Sequence, residues 1–197
     1  MIASSAIIHP NVRLGRNATV EDFCILGASF AGYAGEETII GDDAIIRSHT
    51  VIYAGNRIGN GFQTGNKANI REFNIIGDRV SIGTLSIVEH HVVIEDGVRI
   101  HSQAFVPEYC VLKRGCWIGP GTVITNARFP LHADAKSQLR GATIEPDAKV
   151  GANCTLLPGV TIGAGALVGA GSLVAHDVPA GMVAYGSPAR PHRQSDY

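Results

Sequence analysis

The sequence predicts an all-β fold in which short parallel strands wind into a long prism of triangular cross-section. Three observations predict it: aliphatic residues recur every six positions, glycine often follows them, and a small residue often stands two positions before them. A step of six from Ile40 to Ile124 meets isoleucine, leucine or valine everywhere except at Thr64. We call the residues of this series anchors. A period of six matches neither an α-helix, with about 3.6 residues per turn, nor an alternating strand, with a period of about two.

A period of six fits a coil in which each repeat supplies one flat face and one corner of the prism. Three repeats complete a coil, so that residues eighteen apart stack at about 4.8 Å and hydrogen-bond through their backbones. The anchors then point inward and form continuous aliphatic ladders. The same step continues on both sides of the central series. It predicts about eight coils in one domain over residues 1–178, followed by an exit segment and short tail at 179–197.

Two segments interrupt the step of six, and both are predicted to be extruded loops. They cover residues 30–37 and 126–140. Loops that leave a rigid scaffold often carry binding sites. In the longer loop Asn126, Arg128 and His132 are therefore candidate substrate-binding residues, although a neutral surface insertion is an alternative interpretation.

The composition limits the classes of partner. The chain has 197 residues and a formal net charge of −1, which gives no reason to expect nucleic acid or an anionic membrane as a partner. Because the first residues lack a basic start followed by an apolar run, we expect a cytoplasmic protein. All four cysteines, at positions 24, 110, 116 and 154, stand two residues before an anchor. This small inward position predicts buried free thiols rather than disulfides or a metal site.

The repeat, with the closing segments at 178–181 and 186–190, resembles the hexapeptide-repeat acyltransferases. The resemblance implies a left-handed parallel β-helix, whereas parallel crossovers in other folds are almost always right-handed. It also implies acetyl-CoA as co-substrate, bound in a groove between two prisms of a homotrimer. Arg190 and Arg193 then become candidate cofactor-binding residues for the CoA phosphates.

His90 is the candidate catalytic residue. It lies two positions after the anchor Val88, at a corner, in the stretch Val88-Glu89-His90. This stretch resembles the site of the sialic-acid and bacillosamine-pathway amino-sugar N-acetyltransferases, and the lipid A UDP-N-acetylglucosamine O-acyltransferases place their base in the same position. In both groups the histidine is a general base, a role that suits imidazole because its unperturbed pKa of about 6.5 lies close to neutral.

The partner that orients His90 is left open by the sequence. The family has glutamate at the next position, but this chain has His91, which we expect to face elsewhere on the corner. Glu72 and Glu108 hold the equivalent position one coil below and one coil above. Either is a candidate catalytic residue that keeps the imidazole in the right tautomer.

The Thr125-Asn126 pair before the long loop is similar to that of the nucleotide-linked 3-amino-sugar N-acetyltransferases. Together these resemblances predict an acetyl-CoA-dependent enzyme that N-acetylates a nucleotide-linked amino sugar and needs no metal. One alternative is an O-acetyltransferase or another small-acceptor acyltransferase of the same fold. A γ-class carbonic anhydrase is less favoured, because the chain lacks two histidines five residues apart. A non-catalytic assembly protein is the remaining alternative.

Overall fold

The computed structural model describes residues 1–195 and is a left-handed parallel β-helix of very short strands. The fold class predicted from the repeat is confirmed. Asp196 and Tyr197, the end of the predicted tail, lie outside the described residues. The division of the chain at residue 178 stays a prediction.

The strands follow one another along the chain as β1 (Ile7–Ile8), β2 (Val12–Leu14), β3 (Thr19–Val20), β4 (Ile25–Ala28), β5 (Thr38–Ile40), β6 (Ile45–Ile46), β7 (Val51–Tyr53), β8 (Arg57–Ile58), β9 (Gln63–Thr64), β10 (Asn69–Ile70), β11 (Ile75–Ile76), β12 (Ser81–Ile82), β13 (Ile87–Val88), β14 (Val93–Ile94), β15 (Arg99–Ile100), β16 (Phe105–Val106), β17 (Val111–Leu112), β18 (Trp117–Ile118), β19 (Val123–Ile124), β20 (Thr143–Ile144), β21 (Lys149–Val150), β22 (Thr155–Leu156), β23 (Thr161–Ile162), β24 (Leu167–Val168), β25 (Leu173–Val174), β26 (Met182–Gly186) and β27 (Ala189–Gln194). A 3₁₀ turn at Ala135–Gln138 lies in the long loop.

Every third strand belongs to the same sheet, so that the three sheets form the three faces of the prism. The first face runs from β1 to β25 with nine strands, the second from β2 to β23 with eight, and the third from β3 through β24 to β26 and β27 with ten. The pairing of Ile70 with Val88 shows the expected spacing of eighteen residues. We call the turns from first to second face the first corner, and those from third to first face the third corner.

The core is the column of anchors inside the prism. Every anchor from Val20 to Val174 is at most 4% exposed, Thr64 included. Thr64 is tolerated because the fully buried Phe62, in the position that usually holds a small residue, supplies the missing volume. The Thr64 hydroxyl lies 3.1 Å from that of Thr50 and accepts the Arg47 backbone N–H at 2.9 Å. A buried polar group with such partners carries little penalty.

Two buried asparagines replace the small inward residue beneath the first corner. The backbone N–H of Asn74 donates to Oδ1 of Asn56 at 3.0 Å, and the backbone N–H of Val92 donates to Oδ1 of Asn74 at 2.7 Å. The Asn74 amide also donates to the carbonyl oxygen of Arg71 at 2.7 Å. This ladder ties the turn at 71–74 to the turn above it, at 89–92.

The four cysteines are buried, which confirms the inward position expected from the repeat, and their thiols are free in the structure. Burial raises the pKa of Cys110 and of Cys116 to about 12. Thiols in such surroundings behave as small apolar groups rather than as nucleophiles.

The exit segment closes the top of the prism as a hairpin. Strand β26 continues the third face parallel to β24, and β27 returns antiparallel to β26. Over residues 1–195 no helix has the length and apolar character needed to cross a membrane.

Candidate functional site

The turn between β13 and β14 at the first corner carries His90 and His91 side by side. Their Nδ1 atoms lie 2.8 Å apart, close enough for one ring to donate a hydrogen bond to the other. The expectation that His91 faces elsewhere is therefore wrong. The physical reason is that the backbone of His91 is left-handed, with φ of 57°. Consecutive side chains point to opposite sides only along an extended strand, and the turn at His91 is not extended.

Above His90, the same corner position holds Glu108 and then Asn126. Nε2 of His90 lies 3.7 Å from Oε1 of Glu108. The side-chain amide of Asn126 donates to Oε2 of Glu108 at 2.6 Å. Three of the residues singled out in the sequence therefore form one column. The carboxylate of Glu108 lies between a candidate base and the first residue of the long loop.

Glu72, the other candidate orienting residue, lies one coil below His90 and is held by Arg71. Nε and Nη2 of Arg71 donate to its two carboxylate oxygens at 2.8 and 3.0 Å. Burial alone would raise the pKa of Glu72, but these bonds and the positive charge outweigh it and lower the pKa. Arg71 thus neutralises Glu72, and Glu108 is the acid that faces the His90 imidazole.

Glu89 is a member of the site that the sequence prediction missed. Its Oε2 lies 3.6 Å from Nη1 of Arg71. Burial raises the pKa of Glu89, Arg71 opposes that shift, and the negative charge of Glu108 adds to it. The sequence feature that could have identified Glu89 is a carboxylate directly after an anchor, at a position that glycine often occupies.

An aromatic wall stands beside this column, made of Phe73, His91 and Tyr109 in successive coils. The ring centroids of Phe73 and His91 are 5.2 Å apart, and those of His91 and Tyr109 are 5.9 Å apart. Phe30, from the first extruded loop, packs edge-on against Phe73 at 5.2 Å. A step of eighteen residues would have found the three wall residues in the sequence.

The other predicted site residues lie elsewhere. Arg128 lines a cavity of about 320 Å³ within the long loop, and Nδ1 of His132 accepts the backbone N–H of Asp134 at 3.3 Å. Arg190 and Arg193 lie on β27, one strand beyond β26 and five strand spacings of about 4.8 Å above β15. The structure therefore brings together His90, Glu108 and Asn126. It leaves Arg128 and His132 in the long loop and Arg190 and Arg193 at the upper end.

No group of three or more histidine, cysteine, aspartate or glutamate side chains within residues 1–195 is arranged to hold a metal ion.

Comparison with known proteins identifies the repeat. A family model described as bacterial transferase hexapeptide (six repeats) matches residues 141–176. The bifunctional protein GlmU of Clostridioides difficile is 28% identical over 184 residues, which are 93% of this chain and 37% of that protein. GlmU of Halalkalibacterium halodurans is 30% identical over 154 residues, covering 73% of this chain and 33% of that protein. The chain thus spans well under half the length of these relatives.

Among solved structures, the UDP-N-acetylglucosamine acyltransferase of Francisella novicida is similar to this chain with a TM-score of 0.84. It is 17% identical, and the match covers 98% of this chain and 70% of that chain. At this identity the similarity concerns the fold. The six-residue repeat, the left-handed prism and the family model matched at residues 141–176 together show that this chain carries the repeat of the bacterial hexapeptide transferases.

Proposed function

We propose that this protein is an acyltransferase that uses acetyl-CoA to N-acetylate an amino sugar carried on a nucleotide. The observation that carries the proposal is the column at the first corner, where an imidazole, a carboxylate and the start of the long loop meet. The family name specifies a transferase, and the similar structure from Francisella novicida is by its name an acyltransferase of a nucleotide sugar. That similarity supports the scaffold, and the chemistry is argued from the corner itself.

The histidine pair supplies a base in a defined tautomer. When the neutral His90 ring carries its proton on Nδ1, this N–H donates a hydrogen bond to Nδ1 of His91 at 2.8 Å. Nε2 of His90 then keeps its lone pair. Nε2 then takes the proton from the acceptor amine as its nitrogen attacks the thioester carbonyl carbon. The tetrahedral intermediate collapses with cleavage of the C–S bond, and the CoA thiolate recovers the proton from His90. The amide and free CoA are the products.

Glu108 stabilises the imidazolium that forms during the attack. Its carboxylate, 3.7 Å from Nε2 of His90, moves into an ion pair once the ring is charged. The amide of Asn126 holds the other carboxylate oxygen at 2.6 Å and so fixes the acid. Glu72 contributes at longer range, because Arg71 already binds both of its oxygens.

The acceptor and the cofactor are proposed to approach from different sides. The long loop begins at Asn126, beside the base, and we assign acceptor recognition to it, including Arg128 and His132. Arg190 and Arg193 lie near the upper end, where the phosphates of an extended CoA would reach if its thioester lay at the first corner. A groove of this kind needs a second prism, and so the protein is proposed to be a homotrimer.

The decisive experiment is a transfer assay with acetyl-CoA and a panel of nucleotide sugars that carry either an amine or a hydroxyl at the reacting carbon. Thiol release and product mass should show acetylation of an amino sugar. Glu108→Gln should lower kcat at least about tenfold, since an interaction with a charged group is lost. Glu95→Gln, which changes an exposed glutamate at another corner, is the matched control.

Transfer only to hydroxyl acceptors would overturn N-acetylation in favour of O-acetylation. A chain that binds no CoA would overturn the enzyme proposal and favour a non-catalytic assembly role. Light scattering that finds a monomer at micromolar concentration would remove the inter-subunit groove.

A further inference from the structure

A polar trough of about 380 Å³ lies along the third corner, away from the residues of the first corner. Arg47 and His101 stand at its two ends, in equivalent positions of coils three apart. At about 4.8 Å per coil, this distance is long enough for more than a single phosphate group. Between the two ends, the same position is occupied by Gly65 and Gly83.

The floor of the trough is bare backbone because side chains are excluded there. A Cβ at Gly65 would lie 2.3 Å from the backbone nitrogen of Thr84, and one at Gly83 would lie 2.4 Å from that of Ser102. Both distances are shorter than real contacts allow, so the stacked coils require glycine. The depression is therefore a fixed feature of the scaffold.

The walls consist of hydroxyl and amide side chains that can donate hydrogen bonds. They come from the third face on one side and from the turns of the third corner on the other, and are Gln63, Ser81, Asn66, Thr84 and Ser102. Among the described residues that line the trough there is no carboxylate. Its electrostatic character is set by guanidinium groups alone.

Arg47 and Arg99 supply that positive charge. Neither is in an ion pair with a carboxylate of residues 1–195, and Nη1 of Arg47 is held by the carbonyl oxygen of Thr64 at 2.7 Å. The planar guanidinium has five donors and matches the geometry of phosphate oxygens. Two unneutralised guanidiniums beside a row of neutral donors form a site for a multiply charged anion.

His101 adds a polar atom that lacks a partner. Its Nε2 is buried and has no hydrogen-bond partner within the described residues. The ring packs against Trp117 with centroids 4.6 Å apart, and burial lowers the pKa of His101, with Arg99 adding to the shift. A neutral ring leaves one nitrogen to donate and the other to accept, and buried polar atoms are normally satisfied.

We propose that this trough is a binding site for a diphosphate group, with Arg47 and Arg99 as its charged contacts. The ligand class is a small molecule that carries a diphosphate, either inorganic pyrophosphate or a nucleoside diphosphate. Acyl transfer at the first corner is not required for this binding. The proposal is tested by binding measurements that involve no catalysis.

The test is calorimetric titration of the full chain with inorganic pyrophosphate and, separately, with UDP. Arg99→Gln should weaken binding of both at least about tenfold, since a charge-assisted hydrogen bond is lost. Arg57→Gln is the matched control, because Arg57, like Arg99, is exposed at the start of a two-residue strand but lies on the second face. The control should bind like the wild type. Equal losses in the two variants would reveal general attraction to a surface and would overturn the site.

A second variant blocks the trough without removing a charge. Ser81 points outward from β12, and so Ser81→Phe should fill the depression while the anchors keep their packing. Binding should be lost at an unchanged melting temperature, and a variant that still binds pyrophosphate as the wild type does would contradict the proposal. Tighter binding of UDP than of pyrophosphate would identify a nucleotide ligand, and equal binding would identify the diphosphate as the whole determinant. Binding of neither overturns the proposal.

Discussion

Between β6 and β17, the first corner carries a column of acids, a pair of histidines and aromatic rings, whereas the trough along the third corner carries two arginines, hydroxyl groups, bare glycine backbone and His101. Both corners belong to the same coils and rest on the same buried anchors. The repeat constrains the inward positions, because they fill the prism, and at Gly65 and Gly83 the close approach of the next coil leaves no room for a Cβ. The remaining corner positions are free to differ. One scaffold can therefore present two unlike surfaces at one level.

The largest contrast between the corners should appear in catalysis. His90→Ala should lower kcat by roughly 10²–10⁴-fold, the usual contribution of a positioned base, and the fold should survive because a corner side chain adds little to the core. Steady-state kinetics with acetyl-CoA would measure it. His49→Ala, which removes an exposed histidine at the third corner, is the control and should leave kcat unchanged. A His90→Ala enzyme that keeps more than about a tenth of wild-type kcat would exclude a general base at this position.

The core beneath the turns from the second to the third face should be as intolerant of a cavity as the core beneath the first corner. Phe62→Ala should lower the free energy of unfolding by about 3–5 kcal/mol, because Phe62 fills the space that the anchor Thr64 leaves. Denaturant unfolding would measure the loss. Phe23→Ala, at an exposed phenylalanine of the third corner, should change it by less than about 1 kcal/mol. Similar values for the two variants would mean that Phe62 does not compensate for Thr64.

Breaking the buried asparagine ladder should weaken the first corner, because the ladder lies beneath that corner. Asn74→Ala leaves the backbone N–H of Val92 without its acceptor, which should lower stability by roughly 1–3 kcal/mol. Because Val92 ends the turn that carries His90, kcat should also fall. Asn69→Ala, on the outer side of the neighbouring strand, is the control for both quantities. An unchanged kcat at reduced stability would show that the ladder supports the fold but does not position the base.

The smallest expected effect concerns Glu89 and pH. Because burial raises its pKa in the folded state, the folded chain binds this proton more tightly than the unfolded chain does. Stability must then fall as the pH rises through the unfolded and folded pKa values of this carboxyl group. Melting temperatures from about pH 4 to 8 should decline more steeply for the wild type than for Glu89→Gln, starting near the unfolded glutamate pKa of about 4.3. Parallel curves would show that the surroundings do not destabilise the ionised carboxylate of Glu89.

Spacing alone predicted much of the candidate site. A step of eighteen places Glu72, His90, Glu108 and Asn126 at one corner position, and the structure gives them that position. It could not decide which acid faces the base. That choice depends on Arg71, whose guanidinium binds Glu72 and leaves Glu108 for His90. Competition between neighbouring charges depends on distances that residue spacing does not give.

The sequence by itself determined the fold of this protein, because a hydrogen-bonded coil with a fixed repeat sets the register of every strand and turns each periodic aliphatic residue inward. It also determined that the cysteines would be buried and which residues would share a column. Only the tertiary structure decided that His91 turns toward His90, that Phe62 takes the volume missing at Thr64, and that two glycines leave a trough between Arg47 and His101. The repeat fixes the backbone, whereas the direction of a side chain follows from local backbone conformation and from the side chains stacked above and below it.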